Sequence, residues 1–511
     1  MAPEAYPPET YNRVATGEHA DSSAAHLLSA SPREPSGAAG SSPRVSTPKR
    51  PIIRPAILVI GAVLLLSAGM FRLFWAKVGN TPELAQESAE PIPSAISPIS
   101  PEELAGLGPL HREAVALADR LLADYPGDPQ AMFVRGLILN KFLSRDRAVA
   151  CWLECIRIAP EMAEPYYWIG FDLFKRGSYR EAMERLKKSI ELGVAISDVR
   201  VVLGEAWINL GQPREAVTVL EEQIARYPQH AAGYFYLGHA YWLLGELDRA
   251  EELFTRVTEL SPNNYQAWHS LAKIAQKKGD HNRAETYFAR CKVLQTAFHE
   301  GHQEKRRQYD DIESLETSLA SAYTDSGRIY LGKGNLEQAE RDWRRAAEVD
   351  SKHVECRLLL ADLFVLRKDL SALGSVIEEL CQLEPGNPTH LMNRAALRAN
   401  LGRFQESESD YLQVCQLAPD RAEGLMGLIE LYLQFGRSPE KAVQLAEKLV
   451  RSHPEAASYH LLARSYWAAG QHRKAIEAAA RAAELDPGDS RYAAFHQRLV
   501  QLEFSGGTPL E

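Results

Sequence analysis

Cysteine is scarce in this chain: there are six in 511 residues, Cys151, Cys155, Cys291, Cys356, Cys381 and Cys415. None shows CxxC spacing, so no disulfide scaffold is built from them. An excess of positive charge is also missing. Lys and Arg number 58 against 67 Asp and Glu, a formal net charge of −9. A mildly acidic chain gains nothing from releasing the counterions of a nucleic acid. The densest basic cluster of the body, Lys305, Arg306 and Arg307, is followed at once by Asp310 and Asp311. Nucleic acid is therefore not an expected partner.

Catalytic and cofactor signatures are equally thin. His299 and Glu300 resemble part of a zinc-protease motif, but that motif needs two His four residues apart on one helix face. Here the second is His302, and no third ligand follows. The stretch GRIYLGKG at 327–334 approaches a phosphate-binding loop. It lacks the final Ser or Thr and does not follow a strand. No Ser/His/Asp set and no carboxylate pair stands out. The sequence therefore predicts no catalytic residue, no metal and no cofactor, and a chain that is not an enzyme.

What is present changes along the chain. Residues 1–54 are rich in Pro, Ala, Ser and Gly without aliphatic periodicity, the composition of a disordered tail. Residues 55–76 begin PAILVIGAVLLLSAGMF and continue past Arg72 to Trp75 and Ala76. That length is enough to cross a hydrocarbon core roughly 30 Å thick, so a single transmembrane helix is expected over 55–76. Arg44, Lys49, Arg50 and Arg54 precede it, against Arg72 and Lys77 at its exit. The positive-inside rule then predicts a cytoplasmic N-terminus and an extracytoplasmic, periplasm-like body. Residues 77–104 hold PIPSAISPISP and read as a Pro-rich stalk.

Beyond about residue 104 the chain repeats with a period of 34. Gly136, Gly170, Gly204, Gly238 and Ala272 keep that spacing, as do Ala148, Ala182, Ala216, Ala250 and Ala284, and so do Gly177, Gly211, Gly245 and Gly279. Three small-residue series with one period predict stacked helix pairs. The first two series let the helices of a pair approach, with large residues packed around them. The third sits between the helices, where Gly takes the left-handed cap conformation. Pro160, Pro228 and Pro262 close second helices. Trp152, Leu186, Leu220, Phe254 and Phe288 recur four residues after the Ala series and are expected to fill the core between helices. A second block follows with Gly334, Gly402, Gly436 and Gly470; Lys368 alone breaks that Gly series. Its first-helix small site is Gly327, Ala361, Ala395 and Ala463, and Pro385, Pro419, Pro454 and Pro487 close its second helices.

These residues carry a resemblance. AMFVRGLILNKFLSRDRAVACWLECIRIAP and YFYLGHAYWLLGELDRAEELFTRVTELSP are similar to the unit of the tetratricopeptide-repeat proteins. The resemblance implies an all-α fold, a right-handed α-solenoid of about ten helix-turn-helix units. It covers about 130–298 and 320–489, within a first array at 105–298 and a second at 320–489, with a half repeat at 109–126. A capping helix and tail are expected at 490–511, and a charged spacer at 299–319, HEGHQEKRRQYDDIESLETSL, which either extends a helix or leaves the surface. Leu373 stands where Ala is usual and the loop before Ala442 is one residue long, so irregularity is expected near 365–375 and 429–442. Cys381 and Cys415 occupy equivalent sites one period apart. Such sites lie about a helix-packing distance apart, about 8–10 Å, beyond the roughly 7 Å limit for a disulfide, so packing is their expected role.

The resemblance also implies a partner: a protein or peptide held on the concave face made by the first helix of each pair. Relative to the first-helix small site, the exposed stripe lies three before, one after and four after. In the first array it runs through Phe133, Tyr167, Val201, Phe235 and His269, then Leu137, Phe171, Glu205, His239 and Lys273, then Asn140, Phe174, Ile208, Trp242 and Gln276. The expected groove residues are Phe133, Tyr167, Phe171, Phe174, Phe235, His239 and Trp242. They point to an apolar or aromatic peptide segment as ligand, because the family's carboxylate clamp is not reproduced. In the second array the stripe is mixed: Thr324, Arg328, Leu358, Asp362, Met392, His460, Arg464 and Trp467. The expectation is thus a membrane-tethered scaffold for protein–protein interaction. The alternatives are a structural subunit of an envelope or secretion assembly, or an enzyme-associated repeat module.

Overall fold

The computed structural model describes residues 98–307 and 310–504. The expected tail, the expected membrane helix at 55–76 and most of the expected stalk lie outside the described residues, as does the end of the chain beyond 504. The expected single-pass topology, with its cytoplasmic N-terminus and extracytoplasmic body, is not borne out: no helix among the described residues is long and apolar enough to cross a membrane.

The described residues are all-α. A short turn, α1 (Pro101–Leu104), precedes α2 (Pro109–Asp124). Five pairs follow: α3 (Pro129–Phe142) and α4 (Arg145–Ile158), α5 (Ala163–Lys175) and α6 (Tyr179–Glu191), α7 (Val199–Asn209) and α8 (Pro213–Arg226), α9 (Ala231–Leu244) and α10 (Leu247–Leu260), α11 (Tyr265–Lys277) and α12 (His281–Arg307). Then come α13 (Asp310–Gly332), α14 (Leu336–Val349), α15 (Val354–Arg367), α16 (Leu370–Leu383), α17 (Pro388–Asn400), α18 (Phe404–Leu417), α19 (Ala422–Gln434), α20 (Pro439–Ser452), α21 (Ala456–Ala468), α22 (His472–Leu485) and α23 (Ser490–Phe504). The chain divides after Gly334 into two compact units.

In the first unit the small-residue series do what the period predicted. Ala148, Ala182, Ala216 and Ala250 are wholly buried. A Cβ added at Gly170 would sit 2.9 Å from Leu186 Cγ, and one at Gly204 only 2.6 Å from Leu220 Cγ. Trp152 lies equally tightly over Gly136, and a Cβ added at Gly238 would sit 3.2 Å from the Phe254 ring. Each such large side chain contributes about 1.5–3 kcal/mol by burial. Phe288 departs from the expectation, being turned outward and 36% exposed. Its pair carries Ala272 where the others carry Gly, and the Phe288 ring leans on His269 at 5.7 Å instead. Between helices, Gly177, Gly211, Gly245 and Gly279 all have positive φ, 73–83°, a conformation open to Gly without the Cβ clash that penalises other residues.

The segment expected as a charged spacer is two long helices. α12 runs 27 residues to Arg307, and α13 begins at Asp310. α13 then packs on α2 and α3, far upstream in sequence. Tyr323 Oη donates to Glu113 at 2.9 Å, and Lys141 Nζ donates to Ser314 Oγ at 3.4 Å. Tyr330 donates to Asp124, and its ring lies tilted at 58° against that of Tyr125, centroids 5.3 Å apart. Lys333 pairs with Asp128, which also caps α3 by accepting from the backbone N–H groups of Gln130 and Ala131. The half repeat α2, whose Ala114, Leu117, Ala118 and Leu121 are buried, is thus covered by α13.

The second unit keeps the pattern with local changes. Ala339, Leu373, Ser407, Ala442 and Ala475 occupy equivalent buried second-helix sites. Tyr411 reaches forward onto Gly427 of the next first helix, α19. The two non-Gly residues with positive φ among the described residues are Lys368 at 57° and Ser438 at 47°. They fall in the two stretches where the sequence is irregular, and Lys368 holds the place of the missing Gly.

Candidate functional site

Within each unit the first helices approach one another: α5 touches α7, α7 touches α9, α17 touches α19 and α19 touches α21. Contact between successive second helices is slighter. The first helices therefore lie on the inner side of each stack's curvature, and the stripe residues are on this side.

The inner face of the first unit holds its aromatic residues at different depths. Phe133, Phe171, Phe235, His239 and Trp242 are half-buried. Tyr167 and Phe174 are buried, 5% and 7% exposed, in a core cluster with Leu186, Val199 and Val202. They were expected in an exposed groove, but the following helix α7 covers them, and burial pushes the Tyr167 hydroxyl well up. Tyr167 backs Phe171 instead: the two rings stack at 6.0 Å and 15°. Trp168 meets Phe171 edge-on at 6.3 Å. Phe235 leans on Tyr236 at 5.4 Å and on Phe254 at 5.6 Å. The structure therefore brings Tyr167 and Phe171 together on α5, and Phe235, His239 and Trp242 on α9. Phe133 stands apart on α3.

The sequence reading missed the cations over these rings. Lys175 Nζ lies 5.3 Å from the Phe171 centroid, and Lys277 Nζ lies 5.3 Å from that of Trp242, within the range of a cation–π attraction. Burial lowers the Lys175 ammonium from its ordinary value, partly offset by Glu205. Burial also lowers His239, so its neutral imidazole is favoured. His269 is lowered by burial and by Lys273, and its ring meets Phe288 at 5.7 Å. A Lys four residues beyond Phe171 was readable in the sequence, but one arriving from the next first helix, as Lys277 does, carries no local signal. Leu243, beside Trp242, adds an exposed apolar side chain, 49% exposed.

No group of His, Cys, Asp and Glu among the described residues is arranged to hold a metal ion. All six Cys are free thiols, five of them buried. Burial raises every one of them above the ordinary thiol range, the state of packing residues rather than nucleophiles.

Two family models, each described as tetratricopeptide repeat, match the chain. One covers 201–265, 324–388, 392–457 and 426–490; the other covers 253–286. Superkiller complex protein 3 of Mus musculus is 22% identical over 336 residues, which is 65% of this chain and 20% of that protein. Protein CTR9 homolog of Arabidopsis thaliana is 25% identical over 306 residues, 58% of this chain and 26% of that protein. BBSome complex member BBS4 of Bos taurus is 24% identical over 154 residues, 30% of each. The chain thus spans a fifth to a third of the length of these relatives. Among solved structures, YrrB, titled a TPR protein with an unusual peptide-binding site, has a TM-score of 0.32 and 20% identity, covering 37% of this chain and 97% of that one. MamA has a TM-score of 0.29 and 24% identity, covering 30% and 91%.

Proposed function

As a tetratricopeptide-repeat protein over the matched segments, this chain acts, we propose, as a scaffold for protein–protein interaction. In the first unit it binds an apolar or aromatic peptide segment on the inner face. Phe171 and Trp242 are the anchors, with Phe235 and His239 beside Trp242 on α9 and Phe133 contributing separately from α3. The observation that carries this reading is the half-burial of aromatic rings beneath lysines on the inner helices. Aromatic side chains bury much area and lose little side-chain entropy, so such rings dominate interface energetics. Several relatives are named as members of complexes, which favours a partner that is itself part of an assembly. The chain works by binding rather than by catalysis.

The test is capture of partners on the full chain, identification by mass spectrometry, and repetition with Phe171→Ala and Trp242→Ala. Both variants should melt within about 0.5 kcal/mol of the parent and lose the partner. A partner retained by both variants places the interaction elsewhere. A substrate turned over by the pure chain would replace the scaffold reading.

A further inference from the structure

The second unit carries a carboxylate that its fold leaves without a counter-charge. Asp362 is on the inner face of α15, half-buried. No hydrogen bond or ion pair reaches it among the described residues, and desolvation is the whole cause of its perturbed acidity, which burial pushes up to about 6. The equivalent position two repeats on is treated differently. There Glu430 of α19 accepts from Arg464 Nη2 of α21 at 2.9 Å, so charge at this ladder position is paired across neighbouring first helices. At the same position α17 has Ala396, which offers Asp362 nothing.

The carboxylate is flanked by apolar surface. Leu358, one turn before it, is 42% exposed, and Leu366, one turn after it, is 65% exposed. Leu370, at the start of α16, adds a further 43% exposed side chain. Residues four apart on a helix stand above one another, so Leu358, Asp362 and Leu366 form one row about 12 Å long. An anion withdrawn from water without a partner is costly, and exposed leucines on either side add to that cost. A ligand that supplies a cation between two aliphatic groups relieves both at once.

We propose that this face of α15 binds a helical segment of a partner protein in which a Lys or Arg stands one turn from an aliphatic residue on each side. The cation pairs with Asp362, and the aliphatic groups pack on Leu358 and Leu366. The partner is a basic-amphipathic segment, and the site is separate from the aromatic face of the first unit. It does not depend on that face being occupied.

The probe is a labelled helical peptide with Leu, Lys and Leu at four-residue spacing on one side, and a twin with Gln in place of Lys. Each is titrated against the full chain by fluorescence anisotropy. The Lys peptide should bind about tenfold more tightly than the Gln peptide, equivalent to about 1.4 kcal/mol, and the gap should shrink with added salt. In Asp362→Asn the gap should vanish. Asn is close in shape and carries no charge to desolvate, so this variant folds at least as well, which a melt verifies. Asp362→Lys should in turn prefer a peptide with Glu at the central position. Phe171→Ala and Trp242→Ala should leave the gap unchanged, which separates this site from the other. Equal affinity of the two peptides for the native chain, or a gap that survives in Asp362→Asn, overturns the proposal. So does a photo-crosslinker at position 366 that captures residues 1–97 or a second copy of the chain instead of the Lys peptide.

Discussion

Gly204 lies in α7 with the Leu220 side chain laid across it. Replacing it with Ala sets two effects against each other. Ala is the better helix former by about 1 kcal/mol. The new Cβ, however, would lie 2.6 Å from Leu220 Cγ and 2.8 Å from both its Cδ atoms. Carbon atoms prefer about 3.5–4.0 Å, so Leu220 must retreat by about 1 Å. It is wholly buried, inside a core cluster with Leu237, Ala240 and Val201. Overpacking of this kind costs about 1–3 kcal/mol; at such an encroachment the upper part of that range applies, and the net loss is about 1–2 kcal/mol. Gly238 is the control. Its added Cβ would meet the Phe254 ring at 3.2 Å, a shortfall that a slight ring rotation removes. Gly238→Ala should therefore stay within about 0.5 kcal/mol of the parent. Urea unfolding followed by circular dichroism, with hydrogen exchange read on α7 and α8, measures both. A Gly204→Ala variant as stable as the parent, or indistinguishable from Gly238→Ala, would refute the account.

Lys368→Gly should raise stability by about 0.5–1 kcal/mol, because Lys368 occupies the left-handed conformation that costs an L-residue about 1–2 kcal/mol; a denaturant midpoint reads it, and an unchanged or lowered midpoint sinks the prediction. Tyr167→Ala should cost about 3–5 kcal/mol, while Phe171→Ala, one turn away, should barely shift the melt; equal losses would put both rings in the core. Asp362→Asn should stabilise the chain at pH 7.5 by about 1 kcal/mol. The folded value near 6 lies above the ordinary 3.8, so the native acid costs stability above pH 6, and the advantage of Asn should fade as pH drops from 6 towards 4. His460 runs the other way. Burial holds it near 4 against an ordinary 6.5, so the unfolded chain takes up the proton first and stability is lost as pH falls from 6.5 to 4; in His460→Gln melts across that range, the slope should flatten.

The repeat was legible because its spacing encodes direct contacts. Gly204 and Leu220 are 16 residues apart in sequence, and the fold brings them together as the series implied. Side-chain depth on the inner face was not legible. Tyr167 and Phe171 lie on the same side of α5, but α7 covers one more than the other. That difference depends on the twist between repeats, which no single helix records. The polar stretch 299–319 gave no periodic signal for helix, because its ordering comes from α12 continuing into it and from α13 docking on residues about two hundred positions upstream.

That docking changes how the first unit comes into being. Most contacts in a repeat stack join neighbours, so such a stack can grow as it is synthesised. The Tyr323–Glu113 and Tyr330–Asp124 bonds instead span 210 and 206 residues. On a ribosome adding about 5–20 residues per second, α2 waits roughly 10–40 s for the helix that covers it. During that interval Leu117 and Leu121 are open to chaperones or to other nascent chains. Once α13 arrives, unravelling from the N-terminal edge must first detach a helix made more than two hundred residues later.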